Sequence, residues 1–324
     1  MDPLQHSPTR VSLFSALPSR VELYEVGPRD GLQNEPRVVP TEEKLRLIAA
    51  LVRAGHKRIE ATSFVSPKWI PQLADADELL KRLPRQPDVV FSALVPNLKG
   101  LERARDAGLQ EAAVFFSASE THTKKNINRT IAEALVDAEG VARAAARDSM
   151  RVRGYLSTVW GCPYEGEVSI DRVVDLSRRL IDAGIYQVSL GDTIGVGTPR
   201  QTEQILEKVL AYLRPEQVAL HLHDTRGTAL ANALVGLGFG ITTMDASVGG
   251  LGGCPYAPGA AGNLAAEDLV YMLHGMGIET GLVLGDLVVA GHLAQETVGR
   301  RLPGKYLQAA LGEQERAARA RNKR

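Results

Sequence analysis

Two cysteines among 324 residues cannot build a disulfide framework, which fits a reducing compartment and makes the cytoplasm the expected location. There is no excess of charge either. The 38 basic residues match 38 acidic ones, so no whole-protein field draws the chain to nucleic acid or to an anionic membrane, and neither is an expected partner. No run of 18 apolar residues exists, which excludes a transmembrane helix. The first twenty residues lack the apolar centre of a secretion signal. Residues 1–19 are read as a loose N-terminal arm, with a short organelle leader as the weaker reading. At 23% charged and 44% hydrophobic, the composition is that of a folded globule rather than a disordered chain.

What is present is an alternation. Short β-branched runs at 21–26, 57–61, 89–94, 112–116, 152–158, 186–190, 218–221 and 242–246 are separated by segments with helical apolar spacing. In 42–54, Leu45, Ile48, Ala49 and Val52 share one face; Thr41 is the expected N-cap and Gly55 the residue after the C-cap. Ala54-Gly55, Ala107-Gly108, Ala183-Gly184 and Leu237-Gly238 recur between helix and strand at steps of 53, 76 and 54 residues. Two units of about 27 residues fill the shorter steps, and the middle step holds extra loop. Eight such units in about 250 residues imply an α/β fold, a (β/α)8 TIM barrel. An open doubly wound sheet is the alternative, but no G-x-G-x-x-G follows the first strand. The barrel is expected over 20–277, with a C-terminal helical extension and a basic, solvated tail over 278–324.

Active sites of such barrels lie at the C-terminal ends of the strands. There the chain places Arg29-Asp30 after strand 1, Glu60 at the end of strand 2 and Asp192 at the end of strand 6. Strand 7 carries His221 and His223, whose Cα atoms lie about 6.5–7 Å apart on one face, close enough to share an ion. Strand 8 leads into residues 249–262, where six of fourteen are glycine, a loop able to close over a substrate. Asp30, His221, His223 and Asn263 could supply two oxygens and two nitrogens to one cation. Softness alone favours Mn, Fe, Zn or Co over Mg. Arg29 could steady an oxyanion beside it. Cys254, on the loop, is either a proton donor or a small buried residue.

Val-Gly-Pro-Arg-Asp-Gly-Leu-Gln-Asn-Glu at 26–35 and Glu-Ala-Thr-Ser-Phe-Val-Ser-Pro-Lys at 60–68 resemble the 3-hydroxy-3-methylglutaryl-CoA lyase family. So do Ser-Ala-Ser-Glu at 117–120, His-x-His-Asp-Thr at 221–225 and Gly-Gly-Leu-Gly-Gly-Cys-Pro-Tyr-Ala at 249–257. The resemblance spans about residues 20–311. It implies a carbon–carbon lyase that splits 3-hydroxy-3-methylglutaryl-CoA into acetyl-CoA and acetoacetate, in leucine degradation or ketone-body formation. It implies Mg2+ or Mn2+ on Asp30, His221, His223 and Asn263, in place of the softness argument. Arg29 would stabilise the enolate and, with Gln33, bind the acyl-CoA substrate. Cys254 would transfer a proton; Glu60 and Asp192 would support the metal and its ligands from nearby. Either Asp30 or His221 would take the hydroxyl proton. A homodimer is the expected assembly.

Two departures bear on this. The condensing relatives, isopropylmalate and homocitrate synthases, typically read Arg-Asp-Gly-Glu-Gln and His-x-His-Asn-Asp; here Leu32 and His-x-His-Asp-Thr favour a lyase. Animal lyases of this kind carry a cysteine near the C-terminus, and 311–324 has none. The alternatives are a lyase for citramalyl-CoA or 3-hydroxy-3-isohexenylglutaryl-CoA, and a barrel that only binds a ligand.

Both cysteines sit in Gly-Cys-Pro-Tyr, at 161–164 and 253–256, but only Cys254 lies in the glycine-rich loop. Proton transfer needs an approach of about 2.6–3.2 Å, which a closing loop can supply. Under reducing conditions, Cys254→Ser should lose most of kcat with little change in KM, while Cys162→Ser stays near wild type. Equal losses in the two variants would contradict the assignment. Thiol oxidants should not regulate activity through a C-terminal disulfide.

Overall fold

Each strand segment expected from the sequence is present. The computed structural model describes residues 17–253 and 262–322. Strands β1 (Glu22–Glu25), β2 (Arg58–Ser63), β3 (Val90–Leu94), β4 (Glu111–Ser117), β5 (Arg151–Ser157), β6 (Gln187–Asp192), β7 (Val218–Leu222) and β8 (Thr243–Ala246) run parallel. They close a barrel in chain order, with β8 pairing back onto β1 through Tyr24 opposite Asp245. The fold is a (β/α)8 TIM barrel with a C-terminal helical extension.

The outer layer is α1 (Thr41–Arg53), α2 (Ala76–Arg82), α3 (Leu98–Asp106), α4 (Glu120–Ile127), α5 (Ile131–Arg147), α6 (Ile170–Asp182), α7 (Pro199–Leu210), α8 (Ala229–Gly238) and α9 (Ala266–Gly275). The pattern within each explains its packing. In α6, Val173, Leu176, Ser177 and Leu180 recur at helical spacing and are buried against the barrel. Thr130 and Thr198 start α5 and α7 with capping boxes, each satisfying two otherwise orphaned backbone groups. The long middle step of the glycine repeat is accounted for by α4 and by the loop between β5 and α6.

Two local expectations need correction. Thr41 is the first residue of α1 rather than its cap, which is Pro40. Its hydroxyl instead donates to Asp75 Oδ2 at 2.8 Å. The turn after α8 is made by Gly240, at φ +78°, not by Gly238, which remains helical. At the other three repeats the expected glycine does carry the positive φ: Gly55, Gly108 and Gly184.

After α9 the chain forms α10 (Leu284–Val298) and α11 (Lys305–Arg321). α10 packs on α1, and the turn between α10 and α11 returns to the mouth of the barrel, where Gly304 N–H donates to the Gly249 carbonyl at 2.9 Å. Arg316, Arg319 and Arg321 of the basic tail lie on exposed turns of α11. Among the described residues, no helix is long and apolar enough to cross a membrane.

Strand alternation puts a polar column inside the barrel. Tyr24 donates to Ser92 Oγ and contacts Glu111 Oε1, each at 2.6 Å. Above it, Arg153 and Asp245 pair with no exposure at either side chain.

Packing at α10 gives a stability test. A Cβ on Gly291 would sit 2.3 Å from Glu267 Oε1 and 2.9 Å from Leu307, both buried, whereas one on Gly140 in α5 meets nothing within 4 Å. Gly291→Ala should therefore destabilise by about 1–3 kcal/mol through overpacking. Gly140→Ala should stabilise by about 0.5–1 kcal/mol through helix propensity. Urea midpoints at unchanged slope measure both; shifts of the same sign would contradict the packing.

Candidate active site

β1 runs into a single π-helical turn, Gly27–Gly31, in which the Val26 carbonyl accepts from Asp30 N at 2.7 Å and Gly31 N at 3.3 Å. Such turns are frequent at functional sites. The sequence suits it: a Cβ at Gly27 would sit 2.6 Å from Glu25 Oε1, and one at Gly31 would sit 2.8 Å from Leu251. The turn carries Arg29 and Asp30 onto the wall of a cavity of about 640 Å3 at the barrel mouth. Gln33, Tyr155, His221 and His223 line the same cavity.

Asp30, His221 and His223 each present one ligand atom within 4.8 Å of the others. His221 Nε2 lies 3.8 Å from Asp30 Oδ2, and the two imidazole centroids are 5.3 Å apart. Asn263 reaches the group because its backbone bridges to His223 just past β7. Its amide nitrogen donates to Asp30 Oδ2 at 2.8 Å and to the Leu251 carbonyl at 3.2 Å. A carboxylate and two imidazoles this close together could hold a divalent cation with positions left open, with Asn263 beside Asp30.

The electrostatics agree. Burial alone would raise the Asp30 carboxyl, but the charge of Arg29, together with His221 and His223, holds it below its ordinary value. Burial pushes His223 down to about 4, so its ring is neutral near pH 7, as a ligand must be.

A family model described as HMGL-like matches residues 20–293. The chain belongs to the HMGL-like family. It is 52% identical over 291 residues to the hydroxymethylglutaryl-CoA lyase YngG of Bacillus subtilis, covering 90% of this chain and 97% of that one. It is 50% identical to the mitochondrial hydroxymethylglutaryl-CoA lyase of Rattus norvegicus, covering 92% of each. An HMG-CoA lyase of Acinetobacter baumannii, solved with coenzyme A and 3-methylmalate, superposes with a TM-score of 0.86 at 40% identity, covering 90% of this chain and 95% of that one.

In this HMGL-like chain Arg29 is 6% exposed and held on two sides. Its Nε donates to Glu60, and its Nη1 donates to Asp30 Oδ1 at 2.7 Å. Burial would lower the guanidinium, but Glu60 and Asp30 outweigh it and keep it charged. Its Nη2 makes no hydrogen bond among the described residues. Gln33 donates to Asp30 Oδ1 at 3.1 Å. Glu60 thus acts on Arg29 rather than on the imidazoles. Asp192 is one step further out, accepting from Val196 N at 2.9 Å and Gly197 N at 2.8 Å. That turn backs onto β7, since a Cβ on Gly195 would sit 2.9 Å from the His223 carbonyl. Cys254 lies outside the described residues. Cys162 is buried, with its thiol 2.9 Å from Ser119 Oγ, and accepts from Tyr164 N and Glu165 N.

Two residues at the site were not anticipated from sequence. Asp245 Oδ2 meets His221 Nδ1 at 3.1 Å. Burial would raise this carboxyl, but Arg153 and then His221 hold it down to about 2. Tyr155 lies edge-on to His221, and its ring packs near Arg29, 5.4 Å from the centroid. No local signal marks either: β5 reads Arg-Val-Arg-Gly-Tyr-Leu-Ser and β8 Thr-Met-Asp-Ala, and each residue takes its role from partners on other strands.

Removing one imidazole should weaken the cation site. His221→Ala and His223→Ala should each lower divalent-metal affinity by at least about 10–100-fold, a loss typical even of residues that only support ligands. Calorimetric titration of folded variants measures this, and unchanged affinity in both would rule the site out.

Proposed function

We propose that this chain cleaves 3-hydroxy-3-methylglutaryl-CoA to acetyl-CoA and acetoacetate with the aid of Mg2+ or Mn2+. It is a carbon–carbon lyase. The observation that carries the reading is the placement of a buried, permanently charged Arg29 directly beside the Asp30–His221–His223 ligand group, in one cavity. A ligand-binding barrel has no need of that combination. The oxygen donors of Asp30 and Asn263 support a hard cation. Coenzyme A in the Acinetobacter relative supports a coenzyme A thioester as the form of the substrate. Action in leucine degradation or ketone-body formation, in the cytoplasm and as a homodimer, completes the proposal.

The chemistry distributes over the residues as follows. A bound divalent cation would lower the cost of forming an alkoxide at the tertiary alcohol and orient the substrate oxygens. Asp30 accepts the hydroxyl proton, the other candidate, His221, having no lone pair left when Nε2 faces the cation and Nδ1 meets Asp245. The bond between C2 and C3 breaks: C3 becomes the ketone of acetoacetate, and C2 keeps the electron pair as the thioester enolate. Arg29 holds two donors on Glu60 and Asp30 and directs Nη2 to the developing oxyanion, where stabilisation lowers the barrier. Glu60 fixes the guanidinium so that little reorganisation is needed. Cys254 then returns a proton to C2, giving acetyl-CoA.

Acetoacetate release by metal-depleted protein, with and without added Mg2+ or Mn2+, tests this. Activity should appear only with the cation. Citramalyl-CoA and 3-hydroxy-3-isohexenylglutaryl-CoA should be poorer substrates, and preference for either would overturn the substrate assignment. Arg29→Lys, which keeps the charge but loses the planar fork, should bind metal normally yet lose roughly 2.7–4 kcal/mol of transition-state stabilisation. Near-normal kcat in that variant would contradict the role of Arg29.

A further inference from the structure

The geometry points to Asp245 as the residue that sets the tautomer and orientation of His221, with Arg153 holding Asp245 in place. This inference rests on the reading of His221 as a metal ligand and adds a positioning residue to it. Asp245 and His221 are paired Cα partners on β8 and β7, so their side chains project into the barrel together. Asp245 Oδ2 lies 3.1 Å from His221 Nδ1 and also accepts from Ser189 Oγ at 2.8 Å. An ionised carboxylate only accepts, so Nδ1 carries the hydrogen. In the neutral ring Nε2 then bears the lone pair, and Nε2 is the atom facing Asp30 at 3.8 Å.

The carboxylate is itself fixed. Arg153 donates from one terminal nitrogen to Oδ1 at 2.6 Å and from the other to Oδ2 at 3.1 Å. Its Nε donates to Gln187 Oε1 at 3.1 Å. Its guanidinium lies over the Tyr24 ring, 4.3 Å from the centroid. Gln187 is held in turn by Thr243 Oγ1 and the Glu216 carbonyl, each at 3.1 Å. Apart from Glu216, in the turn before β7, every member of this chain of contacts sits on a strand, and neither the Arg153 nor the Asp245 side chain reaches solvent. A ligand oriented in this way enters the site with its rotamer and tautomer already chosen, which raises metal affinity.

Two measurements test it. Nitrogen-15 NMR of the metal-free wild-type protein reads the His221 tautomer directly and needs no variant to fold. The Nδ1–H form is expected, and the Nε2–H form would overturn the inference. Titration of Mn2+ into wild type, Asp245→Asn and His221→Ala gives the second arm. Asp245→Asn should lose about 10–100-fold in affinity, with KM less affected than kcat at saturating metal. Wild-type affinity in a folded Asp245→Asn overturns the positioning role while leaving the metal site standing. Failure of the wild type itself to bind Mn2+ overturns both.

Discussion

A buried guanidinium at the axis of the barrel constrains everything above it. Arg153 is fully enclosed, so its charge must be met by a carboxylate and by further hydrogen-bond acceptors. Removing one partner of such a pair typically costs about 3–5 kcal/mol, because the other is left charged and alone. Asp245 meets that demand through both oxygens and still reaches Ser189 and His221. The need to neutralise Arg153 thus fixes a carboxylate on β8 level with His221, and that carboxylate meets the imidazole. Structure below the mouth and chemistry at the mouth share one interaction.

A second charge arrangement sits one layer higher. Arg29 lies between Glu60 and Asp30, so one guanidinium holds two carboxylates, one of which belongs to the candidate cation site. The same contacts leave part of the guanidinium directed into the cavity. The root of the glycine-rich loop is tied to this layer: Glu25 Oε1 accepts from Gly27 N at 2.7 Å and Val248 N at 3.1 Å, while Glu267 Oε2 accepts from Gly249 N at 2.7 Å. The turn that carries Arg29 and the start of the loop are therefore held by one buried side chain. The C-terminal extension adds a third hold through Gly304.

The barrel and much of the site were legible in the sequence because their signals are local. Strand runs, helix caps and the His-x-His spacing are each set by neighbours within a few residues. Asp245 was not legible. Within Thr-Thr-Met-Asp-Ala its carboxylate reads like any other, and its meaning comes from Arg153, 92 residues earlier, across a closed barrel. Thr41 failed for the same reason: its hydroxyl is taken by Asp75, 34 residues away, so a sound local cap is not used. The turn at Gly240 escaped because two glycines, Gly238 and Gly240, flank the helix end, and only the turn geometry selects between them. Glu60, for which the resemblance implies support of the metal and its ligands, is held by Arg29, which in turn holds Asp30.

One divalent cation is expected between the β1 turn and the end of β7, held by groups that the barrel interior has already oriented. A crystal structure of the Mn2+-loaded protein, with anomalous scattering recorded at the manganese edge, tests it most directly. A single strong anomalous peak is expected, bonded to Asp30, His221 through Nε2, His223 and Asn263, with Asp245 still on His221 Nδ1. A peak elsewhere in the barrel, or manganese bound to His221 through Nδ1, would contradict it.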